Sequence, residues 1–298
     1  MSLSAHPVLP EFDYIRPQSL TEASRFLAAY PGEARPLLGG TDIFVRMRDG
    51  VWHDKYLVDV KCLEGMSELN YDTVEGLVIG AAVSMNRVIA SPIVREKYHL
   101  LAEAANSCAS YQLRTRATIA GNICNASPAG DTIGACLLLG AVLDVHGVDG
   151  LRQEPLDGFF LGPGKTRLKP GDIVTAIRLP APPKNMRGRY IKLGRNRISD
   201  LAIVGVTALA WPDSSLPSRL RIRLALASVA PAPLIVDDVE AMLAEKKIDE
   251  EDIAEAAQAA MLACDPIDDV RGSARYRRLM VRNLSAQALT EVWLGFKN

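Results

Sequence analysis

The apolar positions of this chain come in short bursts whose period switches repeatedly between that of a strand and that of a helix. Phe12 to Ile15 read as a brief extended stretch. Leu20, Ala23, Phe26, Leu27 and Tyr30 then recur at helical spacing, with Ser19 and Glu22 at the spacing of a capping box and Gly32 as the stop. A short strand runs through RPLL into glycines, a helix through IFVRMR to Gly50, and a buried strand through KYLVDV. Strand, helix, strand, helix, strand in so few residues predicts a small parallel α/β unit over residues 1–61.

A second unit is expected over residues 62–180. EGLVIGAAV is strand-like, and SMNRVIAS is a short capped helix. SPIVREKYHLLAEAANSCA reads as one longer helix with Ser91 as N-cap and Pro92 at its first position. TIGACLLLGAVLDVHG reads as a helix turning into a strand, and GDIVTAIRLP as another strand. PAPPKN, residues 180–185, is the linker candidate. In the third unit, residues 186–298, RYIKLG and RLRIRLALASV read as strands. Arg219, Arg221 and Arg223 alternate there with Leu220, Ile222 and Leu224, the period of a sheet with one wet face. Three helical patterns follow, ending with SARYRRLMVRNLSAQALTEVWLG, and strands followed by helices point to a separate α+β domain.

Composition narrows the chemistry. A length of 298 residues allows two or three compact units, and a net charge of −1 argues against nucleic acid, whose phosphates are bound by excess Lys and Arg. The basic cluster Arg275, Arg277, Arg278 and Arg282 reads as a solvated helix face. The N-terminus lacks a basic start and an apolar h-region, and the longest apolar run, Ile133 to Leu143, is about half a bilayer span. The chain is therefore expected to be cytoplasmic and without a membrane span. Cys62, Cys108, Cys124, Cys136 and Cys264 form no close pair, and His6, His53, His99 and His146 are scattered, so no metal site of its own is expected.

Two stretches of small residues remain. LLGGTDI, Leu37 to Ile43, places two glycines between a strand and a helix start, where main-chain N–H groups lack partners and favour an anion. Taken alone it is either a phosphate cradle or an ordinary tight turn, and it is neither G-x-G-x-x-G nor a Walker loop. ATIAGNICNASPAGD, Ala117 to Asp131, offers a hydroxyl at Thr118, bare backbone at Gly121, an amide at Asn122 and an acceptor for a ribose at Asp131. Two such loops on neighbouring units could enclose one extended dinucleotide. Ser127 lies outside any G-x-S-x-G elbow, which disfavours a nucleophile.

LLGGTDI, TIAGNICNASPAGD and the late PIDDVRGSARYRR together resemble the FAD-binding medium subunit of the xanthine dehydrogenase family of molybdenum hydroxylases, over nearly the whole chain. This group includes the medium subunits of carbon monoxide dehydrogenase and 4-hydroxybenzoyl-CoA reductase. The resemblance implies an α+β fold: a two-subdomain FAD-binding unit of the PCMH, vanillyl-alcohol-oxidase-like type, then a C-terminal domain of a small antiparallel sheet plus helices. It implies FAD held by Pro36, Leu37, Leu38, Gly39, Gly40, Thr41, Asp42 and Ile43, and by Ala117, Thr118, Ile119, Ala120, Gly121 and Asn122. Asp131 would then hold the adenosine ribose, Val174 would be the apolar residue beside the flavin, and Lys192 the lysine near it.

No catalytic acid–base residue is implied. Electrons would come from [2Fe–2S] clusters of a small partner subunit, fed by a molybdopterin in a large one, within a dimer of heterotrimers. The 4-hydroxybenzoyl-CoA reductase branch carries a cysteine-bearing insertion after the second loop. Here GNIC runs straight into NASPAGD, so an extra cluster at Cys124 is not expected. A free-standing flavin oxidoreductase with its own pocket, and an assembly module that has lost its flavin, are the alternatives.

Overall fold

The computed structural model describes residues 8–196 and 199–297, so His6 lies outside the described residues. The first unit holds β1 (Asp13–Ile15), α1 (Leu20–Ala29), β2 (Ala34–Leu37), α2 (Ile43–Arg48) and β3 (Tyr56–Asp59). Its three strands are parallel in the order β1-β3-β2. Ser19 caps α1 by accepting from the Glu22 N–H, and the Glu22 carboxylate reaches back one residue further, to the Gln18 N–H.

The second unit begins with β4 (Leu69–Asp72), β5 (Gly76–Gly80) and α3 (Met85–Ala90). Then come α4 (Pro92–Lys97), α5 (His99–Ser107), α6 (Tyr111–Arg114), α7 (Ile119–Cys124) and α8 (Ile133–Leu138). It closes with β6 (Val142–Gly147), β7 (Gly150–Pro155), β8 (Phe160–Gly162), β9 (Lys165–Thr166) and β10 (Ile173–Leu179). A five-stranded antiparallel sheet runs β4-β5-β10-β6-β7. The long helix expected from Ser91 onward is two helices. Tyr98 leaves helical geometry (φ −127°, ψ 41°), buries its ring completely, and donates to the Pro180 carbonyl at 3.0 Å. Ser91 makes no side-chain cap bond, although Pro92 does open α4.

The third unit holds β11 (Arg187–Leu193), β12 (Val204–Pro212), β13 (Leu220–Ala227), β14 (Leu234–Ile235), α9 (Asp237–Ala244), α10 (Glu250–Ala263) and α11 (Ala274–Leu294). The strands form one antiparallel sheet in chain order. Its central strand, β12, is buried from Val204 to Ala210 with no alternation, so it carries no period to read.

The burial has a plain cause. One face of this sheet packs on α9 and α11, with α10 packed against those two helices, and the other meets α5 and α8 of the second unit. Leu220, Ile222, Leu224 and Leu226 join the C-terminal core, whereas Tyr190, Leu209 and Ala225 join the same apolar cluster as Leu27, Val58 and Ile79. That cluster also runs across the 61/62 boundary. Gly188 lets β11 close on α5, since a Cβ there would sit 2.7 Å from Leu100 Cβ.

Two expectations need correction here. The face of β13 bearing Arg221 and Arg223 is only partly wet: both pair with Glu240, and Arg223 donates to the Leu138 carbonyl at the end of α8 at 3.2 Å. Arg carries its charge at the end of a long apolar stem, which lets it line a contact of this kind. Of the basic cluster on α11, Arg275, Arg278 and Arg282 are exposed, but Arg277 is 4% exposed. Arg219 precedes β13 and has a positive φ of 60°.

Candidate functional site

The first loop leaves β2 at the carboxyl end of the parallel sheet and enters α2, the position where open α/β sheets present ligand crevices. Leu37 is buried, Pro36, Leu38, Gly39, Gly40, Thr41 and Ile43 are half-buried, and Asp42 is exposed. No main-chain carbonyl among the described residues accepts from the N–H of Gly39, Gly40, Thr41, Asp42 or Ile43. Gly40 has φ +73°, and a Cβ there would also meet the Phe44 ring at 2.7 Å. At Gly39 a Cβ would lie 2.2 Å from the Arg116 carbonyl oxygen and 3.2 Å from Ala117 Cα. The two loops foreseen from sequence therefore touch, main chain on main chain.

The second stretch contains a helix. Thr118 caps α7 by accepting from the Gly121 N–H at 2.9 Å, and Ile119 and Ala120 are buried inside its first turn. Met85 N–H donates to the Ala117 carbonyl at 2.8 Å, so the start of α3 pins this loop from behind. The Asn122 amide oxygen is taken by the Thr132 hydroxyl at 2.7 Å. Its amide N–H₂ makes no hydrogen bond within the described chain. β10 packs against α7 and carries Val174, 4% exposed, opposite Val145.

Asp131 and Lys192 come together although 61 residues separate them. The Lys192 ammonium lies 2.8 Å from one Asp131 oxygen and also donates to the Ser107 carbonyl at 3.1 Å. The Tyr190 hydroxyl donates to the other oxygen at 2.7 Å. Burial draws the Asp131 carboxyl upward from the usual carboxylate range, against the pull of Lys192 and Tyr190. The Cys108 thiol beside it is pushed up to about 12, first by burial and then by the Asp131 charge, with Asp42 of the first loop adding to the field.

Tyr190, Cys108 and Arg114 were not foreseen as part of this region. Tyr190 was legible, because it stands two residues from Lys192 on one strand and so shares its face. Nothing in the sequence marks Cys108 or Arg114. Arg114 is buried and ties down the preceding loop through the Cys108 and Ala109 carbonyls and the Asn106 amide. Two surface cavities, of about 290 and 580 Å³, lie elsewhere, around Leu156 and Arg223 and around His99 and Phe296.

Comparison with known proteins gives this geometry its meaning. Residues 10–182 match the FAD binding domain in molybdopterin dehydrogenase, and residues 189–292 match the CO dehydrogenase flavoprotein C-terminal domain. The chain belongs to this FAD-binding family. It is 34% identical to the carbon monoxide dehydrogenase medium chain of Hydrogenophaga pseudoflava, over 95% of this chain and 98% of that one. It is 31% identical to the glyceraldehyde dehydrogenase medium chain of Sulfolobus acidocaldarius, over 95% and 99%. The solved carbon monoxide dehydrogenase of Hydrogenophaga pseudoflava contains a chain that superposes with a TM-score of 0.91 at 32% identity, covering 97% of this chain and 99% of that one.

The residues present fit FAD, the cofactor of the family. The first loop offers unpaired N–H groups and bare backbone. A Cβ at Gly121 would meet, outside the backbone of its own helix, only Thr118 Oγ1 at 3.0 Å among the described residues, so this side of the helix is open. Asn125, just beyond α7, carries a buried amide oxygen with no partner among the described residues. Asp131 accepts from Tyr190 on one oxygen and from Lys192 on the other, with the Cys108 thiol also beside it, and an ionised carboxylate has about four acceptor sites, which leaves one for a ligand hydroxyl. Among the described residues no helix is long and apolar enough to cross a membrane, and no cluster of His, Cys, Asp or Glu is placed to hold a metal ion.

Proposed function

We propose that this chain is the electron-transfer flavoprotein subunit of a heteromeric molybdenum hydroxylase. The observation that carries the reading is the main-chain contact of Gly39 with Arg116 and Ala117, which joins two small-residue loops into one cradle suited to a pyrophosphate. Pro36 to Ile43 and Ala117 to Asn122 would hold the pyrophosphate, and Asp131 the adenosine ribose. Val174 would lie against the flavin, whereas Lys192, foreseen near the flavin but ion-paired with Asp131, would place its positive charge at the ribose end of an extended FAD. Bound FAD supplies the ability to accept electrons singly and to deliver one or two. The protein's own share is to orient the cofactor, keep side chains out of the cradle, and fix the charge of the Asp131–Lys192–Tyr190 group.

Residues 1–61 and 62–180 would act as the two halves of the FAD unit and residues 186–298 as its cover. Electrons would arrive from [2Fe–2S] clusters of a small subunit, which receives them from a molybdopterin in a large subunit, within a dimer of heterotrimers in the cytoplasm. Substrate would be oxidised in the large subunit, so this chain needs no acid–base pair of its own. The named complexes of its relatives, carbon monoxide and glyceraldehyde dehydrogenases, support the assignment.

The test is anaerobic stopped-flow absorbance of the purified yellow chain against aldehydes, purines and aromatic acids. Denaturation should release FAD rather than FMN, and the flavin band should stay unbleached until the iron–sulfur and molybdenum subunits are added. Rapid bleaching by any substrate without partners would make this chain an enzyme in its own right.

A further inference from the structure

The strongest feature that the cradle leaves unexplained is a buried guanidinium in the C-terminal domain. Arg277 lies in the first turn of α11 and is 4% exposed. One of its terminal nitrogens donates to the Ile203 carbonyl at 2.7 Å and to the Ser228 carbonyl at 2.9 Å. The other donates to Asp269 at 2.7 Å. The same Asp269 oxygen accepts the N–H groups of Arg271 and Gly272, so the carboxylate is itself fixed by a tight turn. A buried charge is expensive to desolvate unless it is paired; here both terminal nitrogens are met and only Nε has no partner among the described residues, which makes this a rigid joint rather than a loose surface pair.

The joint leads directly to the second loop. Ser228 sits in the left-handed region at φ 67°, a conformation that a non-glycine residue adopts only when its surroundings hold it there. In that conformation its N–H donates to the Pro128 carbonyl at 2.8 Å. Pro128 belongs to the turn between Asn125 and Asp131, which has its own left-handed residue, Ala126, at φ 47°. The path therefore runs from the Asp269 turn through Arg277 and Ser228 to Pro128. Along it lie four of the seven buried side-chain atoms without a partner among the described residues: Asn125 Oδ1, Ser228 Oγ, Arg271 Nε and Arg277 Nε. Unpaired polar atoms concentrated on one path mark a segment held for position, since such atoms oppose stability where they lie.

We propose that Arg277 is a positioning residue for the flavin cradle, holding the Asn125–Asp131 turn in register through the strained Ser228. The proposal rests on the reading of the second loop as part of the FAD site. The geometry needs a planar fork: two carbonyls on one nitrogen and a carboxylate on the other. A lysine ammonium supplies the charge without that fixed spread.

The test uses the full-length chain with FAD as the probe, following FAD affinity by flavin fluorescence, the visible circular dichroism of the bound flavin, and thermal melting. Arg277→Lys should weaken FAD about tenfold, the scale of one lost charge-assisted hydrogen bond, and should change the visible dichroism. Asp269→Asn removes the carboxylate partner while leaving an acceptor oxygen for the turn, and should shift both readouts in the same direction by less. It carries the test alone if Arg277→Lys does not fold. Trp293→Leu, which loosens α11 without touching Ser228, should lower the melting temperature and leave flavin affinity and dichroism as in the parent.

Folded Arg277→Lys or Asp269→Asn protein with parent-like FAD affinity and dichroism overturns the proposal, whatever its melting temperature. Gly121→Val run alongside separates the two readings. FAD retained there removes the loop assignment and this inference with it, whereas FAD lost there but held unchanged in Arg277→Lys removes the inference alone.

Discussion

At the scale of single residues, glycines and one carboxylate decide the candidate site. Gly39→Ala should abolish FAD binding, because its Cβ would overlap the Arg116 carbonyl and drive the two loops apart. Gly121→Val meets little of the protein and should lose FAD while keeping the fold; absorbance at the flavin band and far-ultraviolet dichroism check both. Flavin retained by Gly39→Ala would count against the contact as the keystone of the cradle. Asp131→Ala should do more than loosen a ribose contact. It strands the Lys192 ammonium and the Tyr190 hydroxyl in a buried setting, a loss of about 3–5 kcal/mol in urea unfolding. A loss within about 0.5 kcal/mol, typical of an exposed site, would contradict that account. Much of this was legible beforehand: LLGGTDI and TIAGN announce bare backbone, and Tyr190 shares a strand face with Lys192. The partnership of Asp131 with Lys192 was not, since nothing in a sequence says which distant strand will arrive beside a turn.

At the scale of elements, the fold is legible in the sequence where a hydrophobic period exists and illegible where tertiary contact replaces it. Amphipathic α1 and the alternating β13 show their period. Strand β12 shows none, being dry on both faces, and the helix break at Tyr98 follows from a hydroxyl finding the Pro180 carbonyl rather than from any local breaker. Arg277 looks like its exposed neighbours because burial of an arginine depends on acceptors from other elements. One pairing between elements has a pH signature. Arg152 of β7 grips Asp172, just ahead of β10, with two bonds of 2.8 and 2.6 Å, and the absent side chain of Gly147 leaves room for the carboxylate. Burial pulls the Asp172 carboxyl upward, but the Arg152 fork and the Lys169 N–H outweigh it and hold it below the usual carboxylate range. A depressed folded value means the stabilisation is present above the unfolded value of about 3.9 and is lost as pH falls through the lower folded one. The urea midpoint of the parent should therefore drop more steeply below about pH 4 than that of Asp172→Asn. Parallel curves for the two proteins would exclude this pair as the source.

At the scale of the whole molecule, the C-terminal sheet is the middle layer of a sandwich whose outer layers belong to different units. Helices α5 and α8 cover one side and α9 and α11 the other. The full chain should unfold in one transition, with far- and near-ultraviolet dichroism coinciding. A fragment ending at residue 185 should bind a hydrophobic dye and fail to hold FAD, because Leu100 and α8 lose their cover. A fragment that melts cooperatively near the parent's temperature would show instead that the FAD unit stands alone. The sandwich also sets a timetable. Synthesis at about 5–20 residues per second finishes α8 several seconds before β13 leaves the ribosome. During that interval the apolar face of α8 has no cover, and the nascent chain is a natural client for any factor that shields such surfaces. Asp131 waits for its partners as well. Until Tyr190 and Lys192 emerge, its carboxylate has neither neighbour, so the cradle acquires its final charge only late in the making of the chain.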